Sequence, residues 1–139
     1  MDVVVDTSIW SLAFRRKVLV PRDQVNRDEL AELIRDQWAL LIGEVRQELL
    51  SGMREPSEFE RLRGLLRPVP NAALDVEDFE EAAAIHNACR AAGIAGSPVD
   101  FLLCAVAVRR GVPLFTTDGD FERYAAHCAL VLHRPTPAA

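Results

Sequence analysis

The chain has 139 residues, is 50% hydrophobic and 27% charged, and carries a formal net charge of −5 at pH 7. That composition excludes a disordered chain and suffices for one buried core, and no apolar run approaches the roughly 18 residues of a membrane span. The start MDVVVD is acidic and strand-like, unlike a signal peptide, so one cytoplasmic domain over residues 1–133 is expected.

The acidic balance argues against a nucleic-acid partner only if the charges are spread evenly, because acids concentrated in a metal site mislead the total. Cys89, Cys104 and Cys128 are odd in number, widely spaced and set among apolar residues, which reads as reduced, buried thiols.

Val3-Val4-Val5 is β-branched without alternation, as in a parallel strand buried on both faces. Asp6 ends it, and Thr7-Ser8 can cap a helix whose apolar residues are Ile9, Trp10 and Leu12 to Phe14. Arg15, Arg16 and Lys17 read first as cations closing that helix, with contact to nucleic-acid phosphates as the alternative. Pro21 marks a loop, and a helix runs from Asn26 or Arg27 to Trp38. Ala39 to Ile42 is a second buried strand. After Gly43 comes a helix with Val45 and Leu49 on one face and Glu44 and Glu48 on a neighbouring one.

Ser57 to Leu66 is a short helix, and Pro68 and Pro70 bracket a loop or short strand. Asp75 caps a long helix to Ala92 with Phe79, Ala82, Ala83, Ile85, Cys89 and Ala92 inward, and Gly93 ends it. His86 and Cys89 have a zinc-like spacing, but with no second pair they read as a polar-face histidine and a core cysteine. A helix from Asp100 stops at Gly111 and Pro113 and feeds the strand Leu114 to Thr116. A last helix from Gly119 to about His127, a strand from Ala129 to Leu132 and a frayed tail from Arg134 to Ala139 complete the chain. Strands separated by helices give an α/β sandwich with a mostly parallel sheet.

In an open parallel sheet, ligands sit beyond the carboxyl ends of the strands. Asp6 and Asp118 each follow a strand, Asp100 opens the helix feeding one of those strands, and Glu48 projects from a helix beside the sheet. That many negative charges in one cleft need compensating cations. Oxygen ligands without histidine or cysteine suit Mg²⁺ or Mn²⁺, and phosphodiester hydrolysis is the chemistry such an ion serves. Asp6 or Asp118 would ligate, and Glu48 or Asp100 would orient or deprotonate the water. Asp120 reads either as a further ligand or as the cap of the last helix.

DTSIW after the first strand, ELLSG around Glu48, VDFLLCAVA from Val99 and TTDGDF from Thr116 together resemble the PIN-domain ribonucleases. More narrowly, they resemble the VapC toxins of bacterial toxin–antitoxin pairs, in order over almost the whole chain. The resemblance implies a three-layer α/β/α sandwich, a homodimer, an RNA substrate, and a VapB-like antitoxin whose C-terminal segment covers the cleft. By the same resemblance Asp6, Glu48, Asp100 and Asp118 match the family's acidic quartet, Asp120 its frequent fifth acid, and Thr7 and Thr117 its nearby hydroxyls. The helix after Asp100 departs from the pattern, reading FLLCAVAV where many relatives carry more alanine. A housekeeping PIN nuclease and a non-catalytic binding module share these features. A receiver-like signalling domain does not, because it needs a lysine after a late strand and the only lysine is Lys17.

Overall fold

The computed structural model describes residues 1–14 and 18–135. Its centre is β1 (Val3–Val5), flanked by β2 (Ala39–Leu40) and β3 (Leu114–Phe115) in the order β2-β1-β3, all parallel. Val4 faces Leu40 on one side and Leu114 on the other. The valines of β1 are at most 2% exposed, as an unalternating β-branched run requires when both faces of the strand are covered. Single parallel bridges, Leu41 to Asn71 and Leu114 to Leu132, extend the two edges.

The helices are α1 (Thr7–Ala13), α2 (Pro21–Arg35), α3 (Gly43–Ser51), α4 (Pro56–Leu66), α5 (Val76–Ala91), α6 (Pro98–Arg110) and α7 (Asp120–Ala125). α6 packs on β1 and β3 and is backed by α5, while α1 packs on α2 and α3. The result is the α/β sandwich expected from the alternation of strands and helices.

Two helices show how local chemistry sets this arrangement. α6 starts at Pro98, with Ser97 Oγ accepting the Asp100 N–H at 3.1 Å, and ends where Gly111 adopts φ +64°. Its residues Phe101 to Ala107 are all buried, so it is apolar on every side and lies inside the molecule. α5 opens with a capping box in which Asp75 and Asp78 exchange backbone and side-chain hydrogen bonds. Arg109, near the end of α6, donates to both carboxylates at 2.7 Å and ties the two helices together. Arg110 donates to the Ala73 carbonyl at 2.5 Å, so both helix-end cations have partners in the fold.

Several expected boundaries shift. α2 begins at Pro21 and not at Asn26, because proline in the first turn gives up no hydrogen bond and is already set for helix. The expected last strand, Ala129 to Leu132, contracts to one bridge at Leu132, although the Leu114 N–H still donates to the Val131 carbonyl at 2.9 Å. The inward stripe of α5 is Asp78, Ala82, Ile85 and Cys89, while Phe79 is 51% exposed. Arg109 draws Asp78 inward and so rotates that stripe. Cys89, Cys104 and Cys128 are free, and of these Cys128 is only half-buried.

Tyr124 on α7 is fully buried and packs against Phe101 of α6, ring centroids 4.9 Å apart, and against Phe121 at 5.2 Å. Gly96 makes room for this cluster, since a Cβ there would lie 2.5 Å from the Tyr124 hydroxyl and 2.7 Å from Phe101 Cζ. Gly96→Ala is therefore expected to destabilise the fold by about 1–3 kcal/mol, as overpacking does. A lowered thermal midpoint by circular dichroism would show this, and an unchanged midpoint would contradict the packing described.

Candidate functional site

β1 and β3 are adjacent and parallel, so both release the chain at the same edge. Asp6, directly after β1, is 6% exposed and caps α1. Its Oδ1 accepts the Thr7 N–H at 2.7 Å, and its Oδ2 accepts the hydroxyls of Ser8 at 2.9 Å and Thr116 at 2.8 Å. These bonds offset the burial of a carboxylate and fix its orientation.

The same two hydroxyls hold the loop after β3. Thr116 Oγ1 accepts the Asp118 N–H at 2.9 Å, and Ser8 Oγ accepts the Thr117 N–H at 3.0 Å. Asp118 is exposed, and its Oδ1 accepts the Asp120 N–H at 2.9 Å at the start of α7. Asp100, in the first turn of α6, is half-buried, and the Tyr124 hydroxyl donates to its Oδ2 at 3.0 Å. Glu48 reaches the same region from α3 and is exposed.

Electrostatics shows that the four acids sense one another. Burial, and then the charges of Asp6 and Asp100, push the Glu48 carboxyl above its ordinary pKa. Burial raises Asp100, and the charges of Asp6 and Asp118 add to that, against the lowering effect of the hydrogen bonds with Tyr124 and Ser97. Tyr124 is in turn held protonated well above the ordinary tyrosine range by burial and by its bond to Asp100. Glu44, one turn before Glu48, borders an apolar cavity with Phe79, His86 and Phe101. Of the two glutamates, Glu48 is the one whose carboxyl senses the charges of Asp6 and Asp100.

The hydroxyls that touch the site are Ser8 and Thr116, each one residue away from the expected Thr7 and Thr117. Among the described residues Thr7 Oγ1 is buried without a hydrogen-bond partner, and Thr117 contributes its N–H. DTS and TTD each offer two hydroxyls, and only the approach of β3 to α1 selects between them. Asp120 pairs with Arg123, three residues on in α7. Arg15, Arg16 and Lys17 lie outside the described residues.

Among the described residues, none of Asp6, Glu48, Asp100 and Asp118 has an ion-pair partner, and the ion pairs that form lie elsewhere. Also among the described residues, no group of three or more His, Cys, Asp or Glu side chains lies close enough together to hold a metal ion. The carboxylates supply the oxygen donors used by a hard cation that keeps several waters, as Mg²⁺ does when it binds through one or two carboxylates together with substrate phosphate. An all-oxygen, mutually repelling and uncompensated set fits such an ion and does not suit zinc.

Comparison with known proteins gives the family. The PIN domain model matches residues 3–127. The VapC ribonuclease Mb1587 of Mycobacterium bovis and the ribonuclease VapC11 of Mycobacterium tuberculosis are each 30% identical to the chain over 122 residues, spanning 86% of it and 89% of theirs. Among solved structures, FitAcB from Neisseria gonorrhoeae is similar with a TM-score of 0.75 and 17% identity, covering 96% of this chain and 97% of that one. VapBC2 from Rickettsia felis, bound to a DNA fragment from its promoter, gives a TM-score of 0.73 at 15% identity, with 96% and 98% covered. At those identities the structural likeness is one of fold. The chain belongs to the PIN-domain family, among the VapC ribonucleases.

Proposed function

We propose that this chain is a divalent-metal-dependent endoribonuclease, the toxin of a pair in which a VapB-like protein antitoxin holds the activity in check. The observation that carries the metal dependence is the set of four carboxylates, delivered by separate elements to one sheet edge, with no ion-pair partner among the described residues. The names of the similar structures, VapBC2 and VapBC-1 from nontypeable Haemophilus influenzae, support a VapB-like partner for this chain. A cytoplasmic homodimer acting on RNA belongs to the same proposal. Among the described residues no helix is long and apolar enough to cross a membrane.

Mg²⁺ or Mn²⁺ bound by Asp6, Asp100 and Asp118 would polarise a phosphoryl oxygen and lower the pKa of a water. Asp6 is already oriented by its hydrogen bonds, so it needs no rearrangement to serve as a ligand. Tyr124 holds Asp100 in place from beneath. Glu48, whose raised pKa makes it a better proton acceptor than an ordinary carboxylate, takes the proton of the attacking water. Asp100 shares in orienting that water. Thr7 and Thr117 remain supporting positions, and Asp120 would exchange Arg123 for the cation if it joins the ligand set. The P–O bond breaks as water oxygen adds to phosphorus, and the departing chain oxygen takes a proton from solvent while Glu48 later releases the one it accepted.

The test is cleavage of total cellular RNA by antitoxin-free protein with Mg²⁺ or Mn²⁺, with EDTA, and with Asp100→Asn. Discrete fragments that disappear in EDTA are expected. The variant should be slower by about 100-fold or more, the scale of several kcal/mol of lost transition-state stabilisation. Equal cleavage by the variant, or metal-independent cleavage, would contradict the proposal.

A second expectation concerns stability without metal. A carboxyl whose folded pKa is raised stabilises the fold fully below its unfolded pKa and loses that contribution as pH rises through the folded value. Asp100→Asn should therefore melt above the wild type at neutral pH in EDTA, with the gap closing toward about pH 4. Mg²⁺ should raise the wild-type midpoint more than that of the variant. Thermal melts across pH decide this, and a variant less stable at neutral pH would contradict the repulsion.

A further inference from the structure

Beside the acidic cleft, where α2, the end of β3 and the C-terminal segment meet, lies an open cavity of about 420 Å³. That volume falls within the roughly 300–1,000 Å³ of small-ligand pockets. Asp118 borders it, so the cavity and the proposed catalytic acids share a wall.

Another wall carries a residue that the fold does not explain. The inward stripe of α2 is Asn26, Leu30 and Leu33, at helical spacing, and the first of these is a carboxamide where the pattern asks for a third apolar side chain. Asn26 is 9% exposed and lines the cavity. A polar side chain on an inward helix stripe costs stability unless something polar meets it. Val25 and Leu132 give the cavity apolar sides. At its mouth stand two exposed arginines, Arg22 and Arg134. Arg134 pairs with Glu122 at 3.4 Å, an exposed pair that releases its guanidinium readily.

We propose that this cavity receives one unpaired base of the RNA substrate, adjacent to the scissile phosphate, and that Asn26 reads the edge of that base. The inference rests on the ribonuclease reading and adds a selectivity element to it. A carboxamide presents a donor and an acceptor side by side, which matches the paired hydrogen-bonding groups along a base edge. Proteins that read RNA sequence do so mostly on unstacked bases splayed from single strands, held between apolar surfaces and polar edges. The two arginines are placed to contact the phosphates flanking that nucleotide, which positions the strand without reading it. The carboxylates of the cleft repel phosphate and offer no base readout of their own, so selectivity must come from a neighbouring surface. This cavity is contiguous with the cleft through Asp118.

The test maps the 5′ ends of fragments made from total RNA by the wild type, Asn26→Leu, Asn26→Asp and Arg22→Ala. A short oligoribonucleotide carrying the mapped site then gives kcat and KM. The wild type should show one favoured base at a fixed position beside the cut. Asn26→Leu completes the apolar stripe, so it should melt no lower than the wild type, yet cut at dispersed bases. Its KM on the oligonucleotide should rise by about tenfold, the lower range for one amide–base pair. Asn26→Asp, which keeps the shape and loses the donor, should shift the favoured base. Arg22→Ala should raise KM while leaving the favoured base unchanged. Unchanged fragment ends and KM in Asn26→Leu would overturn the assignment. So would a lowered melting point in that variant, which would make Asn26 a structural residue, or a loss confined to antitoxin binding, which would make the cavity a protein-docking site. A wild type that cleaves no RNA with Mg²⁺ or Mn²⁺ would remove the nuclease reading itself, an outcome distinct from wild-type cleavage that ignores Asn26.

Discussion

The hydrogen bonds around Asp6 join the two halves of the structure. β1 is the middle strand, and Asp6 is the first residue beyond it. Through Ser8 and Thr116 its carboxylate is linked to the loop after β3, although 110 residues of sequence separate Asp6 from Thr116. One buried acid therefore caps α1, anchors the Asp118 loop and faces the cleft. The parallel direction of β1 and β3 makes this possible, because it delivers both strand ends to one edge. The buried helix α6 then brings Asp100 to the same place, with Tyr124 beneath it.

Much of this arrangement was legible in the sequence. The β-branched run Val3-Val4-Val5 ending in an acid, and the apolar strand before Thr117-Asp118, located the edge and two of its acids without any knowledge of the fold. Pro98 and Gly111 bracket α6, and the unbroken apolar run between them made a buried helix readable. Other features depend on contacts that sequence spacing does not encode. The choice of Ser8 and Thr116 over Thr7 and Thr117 is made by the approach of β3 to α1. The stripe on α5 is turned by Arg109, which lies 31 residues beyond Asp78. The final strand failed as a strand because Leu132 alone pairs with Leu114 as a bridge. Periodicity also left Asn26 at a helix start, whereas Pro21 begins that helix and places Asn26 inside it.

The acids and Asn26 share a physical character. Each is a polar group held where the fold alone would be better served by an uncharged or apolar side chain. Asp100 and Glu48 have raised pKa values because they are partly buried and, beyond that, because their neighbours carry the same charge. Asn26 faces a cavity where leucine would continue the stripe. Elsewhere the chain pairs its polar groups closely, as Asp75 and Asp78 do with Arg109, and His133 with Glu29 at 2.5 Å. The acids and Asn26 therefore gather around one cleft and its adjoining pocket, which is where a cation and a nucleic-acid strand would meet them.

The central claim is that Asp6, Asp100 and Asp118 hold one cation, with Glu48 beside it as the base. Calorimetric titration of Mn²⁺ into antitoxin-free protein, for the wild type and for Asp100→Asn, Asp118→Asn and the double variant, tests it most directly. The account predicts saturable binding in the wild type, weaker binding in each single variant, and a double variant whose loss is not the sum of the two, because coupled ligands do not add. Equal affinity in all four proteins would contradict it.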